Sequence, residues 1–167
     1  DRTVQQAVEE VARFLQSEGA VMGMDARPAI DSEEAHEVYV LLLRAATSGR
    51  IDDAQLARLE AAKAQLGPES RGYPAWLARG ATMRHRDWLR LNQRRHRMRL
   101  AWAEFFREWD VLLCPAAATA AFAHDHAGER WERMIPVNGR PQPSTTQLFW
   151  AGYSGAFLLP STVAPAV

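Results

Sequence analysis

"QLFWAGYSGAFLLPSTVAPAV" fills residues 147–167 and carries no charged side chain. A run of this kind is either a membrane span or a piece of protein core. A span needs about 20 mainly apolar residues in one helix. Here the polar run PQPSTTQ (141–147) stands in front, and Pro160 and Pro165 cut the end. Proline lacks the backbone N–H that a continuing helix needs. The stretch therefore reads as buried core: a short helix within TQLFWAGYSGAF, interrupted by Gly152 and Gly155, then a strand at 161–166. Ala151, Gly152, Ser154, Gly155 and Ala156 allow another backbone or a ligand to come close.

Working outward, VLLCP (111–115) is a continuous apolar run cut by Pro115. Its place after a long helical pattern predicts a buried strand. MIPVNGRP (134–141) predicts a strand entering an Asn138-Gly139 turn. AVMGMDA (20–26) predicts a short strand weakened by Gly23. AAATAAFAHDHAGER (116–130) reads as loop or weak helix, and residues 3–18 and 32–109 are mainly helical in pattern. Val4, Val8, Val11 and Leu15 share one face of a helix over 3–18, with Gly19 at its end. Asp31 followed by Glu34 marks the start of a helix over 32–47. A third helix starts at Asp52 or Asp53 and stops before Gly67-Pro68. The longest periodic segment runs from about Pro74 to Trp109, with Trp88, Leu91, Met98, Trp102, Phe105 and Trp109 near one face. One partial domain over 1–167 is expected, helix-rich over 1–109 and rich in strands and loops over 110–167.

The chain has 167 residues, 47% hydrophobic and 24% charged, which is enough for a sizeable core. Its 20 acids match its 20 bases, so net charge points to neither nucleic acid nor membrane. The balance is uneven along the chain. Residues 1–69 hold 13 acids and 7 bases, whereas residues 70–113 hold 10 bases and 4 acids. A single cysteine excludes an internal disulfide and fits a reducing, cytoplasmic setting. No signal-peptide pattern opens the sequence, and the absence of an initiator Met suggests a piece of something longer.

Four constellations invite a chemical reading. Eight arginines lie in 79–99 with Trp88 among them, a pattern that binds acidic partners but more commonly forms a solvated or internally paired face. His124-Asp125-His126 offers metal-ligand types, yet alternate residues of an extended segment point apart. Cys114 is a candidate nucleophile, but beside Pro115 in an apolar run it reads as a small buried hydrophobe. Ser154 lacks the Gly-x-Ser-x-Gly setting, because position 156 is Ala.

Three stretches taken together resemble the later part of the amidase signature family: DVLLCPAAATAAFAHDH (110–126), RMIPVNGRPQP (133–143) and QLFWAGYSGAFLLPSTVAPA (147–166). The opening, 1–31, is similar to the segment that follows that family's core motif. The resemblance implies an α/β fold of amidase-signature type, here a helix-rich fragment with a few strands of a mixed central sheet. It also implies acyl transfer in which a Lys, through a bridging Ser, activates a nucleophilic Ser, with the oxyanion held by a Gly/Ser-rich loop. This sequence has one lysine, Lys63, seven scattered serines and no such loop. No catalytic residue is therefore assigned.

The resemblance implies instead a non-catalytic C-terminal portion that completes the sheet and the acyl-binding pocket and is inactive alone. Val167 stands where the family usually has Gly, and the chain is expected to end before the family's last elements. Cys114, Phe122, Trp150 and Tyr153 are the expected pocket residues. The expected partner is a small-molecule amide in the intact enzyme, with no metal, cofactor, nucleic acid or membrane, and with self-association into a homodimer. Two other readings remain: an α-rich module binding an acidic partner through the basic helix 79–99, and a metal-dependent enzyme using His124 and His126.

Overall fold

A computed structural model describes residues 1–165. By its own contacts the chain forms two compact units, residues 30–100 and a second unit made from 1–29 with the chain from 101 onward.

The 30–100 unit is built from helices. α1 (Arg2–Ser17) belongs to the other unit, so this one begins with α2 (Ser32–Thr47), α3 (Asp53–Ala64) and α4 (Tyr73–Ala81), and takes in most of α5 (His85–Phe105). The starts are set by side-chain caps. Asp31 Oδ1 accepts from the Glu34 N–H at 2.7 Å, and Asp52 Oδ1 accepts from the Gln55 N–H at 2.7 Å. Each satisfies one of the amides that a helix start leaves without an intrahelical acceptor. α4 starts differently: Gly72 takes φ +92° and Pro74 occupies the first turn, where its missing N–H costs nothing.

The core of this unit lies between α2 and α4, where Ala35, Val38, Val40 and Leu41 meet Tyr73, Ala75, Ala78 and Ala81. Gly80 makes the close approach possible. A Cβ built there would stand 2.7 Å from the Arg44 Cβ and 2.8 Å from the Leu41 carbonyl oxygen. α3 lies against α4 and buries none of its residues fully.

The single long helix expected over 74–109 is two helices. α4 ends at Ala81, where the Thr82 hydroxyl donates to the Ala78 carbonyl at 2.7 Å. Lys63 Nζ then donates to the Thr82 carbonyl at 3.2 Å, placing a cation at the negative end of α4. The chain restarts as α5 once the Arg84 carbonyl accepts the Asp87 and Trp88 amides. A periodic apolar face does not record this break, because Thr82 competes for the backbone through its side chain. The face itself is right: Leu91, Met98, Trp102 and Phe105 are buried.

The second unit contains α1, the C-terminal end of α5, a hairpin and α6 (Leu148–Gly155). α1 closes at Gly19 as the sequence predicts. Gly19 takes φ +97°, its N–H donates to the Gln16 carbonyl, and the Ala20 N–H donates to the Leu15 carbonyl. That is a Schellman closure. The hairpin is β1 (Met134–Val137) against β2 (Arg140–Pro143), antiparallel, with Val137 opposite Arg140 and Ile135 opposite Gln142. Asn138 and Gly139 both take positive φ, 52° and 73°, as a two-residue type I′ turn requires. Trp102, Phe157, Ile135 and Leu148 form the buried centre of this unit.

Three expected strands are absent. Residues 20–26 are irregular, with the Trp109 indole lying against Gly23 where a Cβ would come within 2.2 Å of it. Residues 111–115 are also irregular, and Val111 is exposed. Residues 161–165 form no strand, and Ala166 lies outside the described residues. A strand exists only where another strand accepts its hydrogen bonds. Among the described residues the sheet contains β1 and β2 alone, so a mixed central sheet is not formed by them. No helix among the described residues is long and apolar enough to cross a membrane.

Candidate functional site

Trp150 and Tyr153 sit on α6, three residues apart and therefore neighbours on its surface. Their rings lie 5.9 Å apart, and both meet Phe149, at 4.9 Å and 5.7 Å. Tyr153 also packs edge-on against Trp102 at 5.2 Å. Trp102 is 1% exposed and touches Phe105, Phe106 and Phe157. The two aromatics expected at a pocket are thus brought together, half-buried, at the edge of an aromatic core. Cys114 and Phe122 are on the irregular chain after α5, and neither forms a hydrogen bond or ring contact with that pair. Phe122 is exposed.

Cys114 is exposed, which corrects its reading as a buried hydrophobe in a strand. Partial desolvation of the sulfur nonetheless pushes its thiol pKa up. A neutral thiol is a poor nucleophile.

Lys63 is held for structure. Its hydrogen bond to Thr82 ties α3 to the end of α4, at a helix terminus. His124 and His126 have ring centres 5.8 Å apart on an exposed loop. Asp125 Oδ1 accepts from the Ala127 N–H at 2.9 Å and so closes a local turn. Among the described residues no group of three or more His, Cys, Asp or Glu is placed to hold a metal ion.

The basic face of α5 is partly neutralised from within. Asp87 stands 3.8 Å from Arg86 and 3.5 Å from Arg90, and Arg94 makes a close ion pair with Glu34. His85 stacks on Trp88 with ring centres 6.1 Å apart, so that indole is already covered on one face.

The second unit also contains an open cleft of about 680 Å³ that the sequence reading did not find. Arg2, Asn138, Arg140, Gln142 and Thr146 line it together with Ala118 and Val137. Its walls are tied together by hydrogen bonds over long sequence separations. The Arg2 N–H donates to Asn138 Oδ1 at 2.8 Å, the Asp1 nitrogen to the Ala118 carbonyl at 2.7 Å, and the Ala118 N–H to Gln147 Oε1 at 2.8 Å. None of the four expected pocket residues lines it. The sequence signal for it is the Asn-Gly turn followed by Arg140 and Gln142 two residues apart on one strand face, which by itself predicts only a hairpin.

A family model described as Amidase matches residues 1–149. The match takes in Cys114, Phe122 and both strands of the hairpin, and it stops one residue before Trp150. No curated protein and no solved structure matches the chain.

Proposed function

The chain belongs to the amidase family, and from that premise we propose that its residues form a non-catalytic part of a hydrolase acting on carboxylic amides. In this reading they supply scaffold and acyl-pocket wall, while the groups that break the C–N bond lie in other residues of the intact enzyme. The observation that carries the proposal is the position of Lys63. The family resemblance implies a Lys next to two serines, and the one lysine in the sequence instead hydrogen-bonds a helix-terminal carbonyl. A lysine that must accept a proton needs a free, depressed-pKa amine near its substrate. Trp150 and Tyr153, with Cys114 and Phe122 on the preceding chain, are the residues proposed to face the acyl group.

The test is an amide-hydrolysis assay of this chain on linear, aromatic and cyclic amides. The expected result is release of ammonia or amine no faster than in buffer. Turnover that disappears on replacing one of the chain's own serines by Ala would overturn the reading. The alternative role for the α5 arginines, binding an acidic partner, is weakened because Arg86, Arg90 and Arg94 already have carboxylate neighbours.

A further inference from the structure

We propose that the cleft between the start of α1 and the β1–β2 hairpin binds a small oxyanion, a carboxylate or a phosphate. The hairpin register is the starting point. Cross-strand partners in an antiparallel pair put their side chains on the same face. Ile135, opposite Gln142, is 2% exposed, so that face is the inward one. Val137 and Arg140 form the next pair but one and lie on it too. Arg140 and Gln142 therefore project from the inward face of the hairpin into the cleft, which they line.

Arg2, also a lining residue, supplies a second guanidinium from α1. It occupies the first position of α1, the positive end of the helix, where a cation is disfavoured. No acidic residue stands in the first turn of α1, whereas Glu33 and Glu34 begin α2 and Asp53 begins α3. Neither the Arg2 nor the Arg140 guanidinium has a carboxylate or hydrogen-bond partner among the described residues. Asp1, the N-cap of α1, is the acid that precedes Arg2. Its Oδ1 accepts from the Thr3 N–H and its Oδ2 from the Asn138 N–H, so both oxygens are engaged with backbone, and it offsets at most one of the two positive charges.

The neutral groups complete the site. The Asn138 Oδ1 accepts the Arg2 backbone N–H, which leaves its side-chain N–H₂ as a donor. The left-handed turn conformation of Asn138 fixes where that side chain starts from. Gln142 and Thr146 add an amide and a hydroxyl. Two like charges lining one open cleft repel, and an anion between them removes the repulsion while offering acceptor oxygens to guanidinium donors. The volume is that of a small-molecule site. Its walls are mostly polar, which suits a charged ligand and not an apolar acyl chain.

The full chain is titrated with succinate, with inorganic phosphate and with neutral succinamide, by calorimetry and by following side-chain amide resonances. Saturable binding of an anion is expected, with none for succinamide, and the Asn138 and Gln142 side-chain amides are expected to shift first. The relative affinity for succinate and phosphate says which oxyanion the cleft prefers. Arg2→Gln and Arg140→Gln are each expected to weaken binding about tenfold, the loss of one charge-assisted contact. Arg71→Gln, an exposed arginine of the other unit, should change nothing. The proposal is overturned if no anion saturates the chain up to about tens of millimolar, a range weaker than any useful affinity. It is equally overturned if the three variants bind alike, or if the resonances that shift in the unsubstituted chain lie away from the cleft.

Discussion

His36 shows how one side chain ties the stability of the helical unit to pH. It lies on α2 with its ring edge-on to Trp76 of α4, the centres 5.4 Å apart and the planes at 82°. Burial there lowers its pKa below the ordinary value of about 6.5. The folded chain thus holds the neutral imidazole at a pH where the unfolded chain has already taken up a proton. With the unfolded state binding more protons, stability rises with pH. The contribution is complete above about pH 6.5, the unfolded value, and is lost as pH falls toward the lower folded value. Urea midpoints measured between pH 8 and pH 5.5 should therefore fall toward acid, and His36→Asn should flatten that decline. An identical slope in the variant would show that other groups set it. In the sequence His36 is a lone histidine within the helical pattern of 32–47. Its partner Trp76 is 40 residues away, so nothing local announced the contact.

At the scale of elements, the packing of α2 on α4 depends on the size of one residue. Gly80 lies inside a helix, where Ala would ordinarily gain about 1 kcal/mol in propensity. The obstacle is the neighbouring backbone: the new methyl would stand 2.8 Å from the Leu41 carbonyl oxygen, which cannot rotate away as a side chain would. Overpacking of this kind costs about 1–3 kcal/mol and outweighs the propensity gain. Gly80→Ala should lower the free energy of unfolding. Gly155→Ala, in α6 with open space where the methyl would go, should leave it unchanged or raise it by up to about 1 kcal/mol. Equal effects in urea titrations of the two variants would contradict this account.

The same elements show what was legible in the sequence. Helix starts and stops at Asp31, Asp52 and Gly19 and the Asn138-Gly139 turn were readable, because each is decided within a few residues by a cap or a positive φ. No strand forms at 20–26, 111–115 or 161–165, and the sequence does not reveal this, because apolar runs show burial tendency and say nothing of whether a pairing partner is present. The break at Thr82 was hidden by an apolar face that continues across it. At the cleft, the hairpin was legible but the convergence of Arg2 with Arg140 was not. It is made by hydrogen bonds joining residue 2 to residue 138 and residue 1 to residue 118.

For the molecule as a whole, the distribution of apolar surface predicts self-association. In the unit formed by 1–29 and the chain from 101, Phe14, Val21, Met24, Val111 and Leu158 are each 60% exposed or more, although Ala12 on α1 is fully buried. Of the face that α1 offers at helical spacing, Val4, Val8 and Leu15 are half-buried and Val11 is exposed, and Phe14 outside that face is open to water. β1 and β2, the only strands among the described residues, pair with each other and leave both outer edges unpaired. Charge gives no protection, since 20 acids balance 20 bases and a chain near zero net charge associates readily. A second copy of the chain is the proposed cover. Sedimentation velocity should therefore give a molar mass that climbs above the monomer's 18.7 kDa as concentration rises. The driving force is apolar, so about 0.5 M NaCl, which screens exposed charges within a few ångströms, should not reverse it. Phe14→Glu, at a position already open to water, should shift the chain toward monomer without loss of helical circular dichroism. Association abolished by salt but untouched by that substitution would place the contact on the arginines of α5. A mass of one chain at every concentration would mean that the exposed apolar side chains do not bring two copies together.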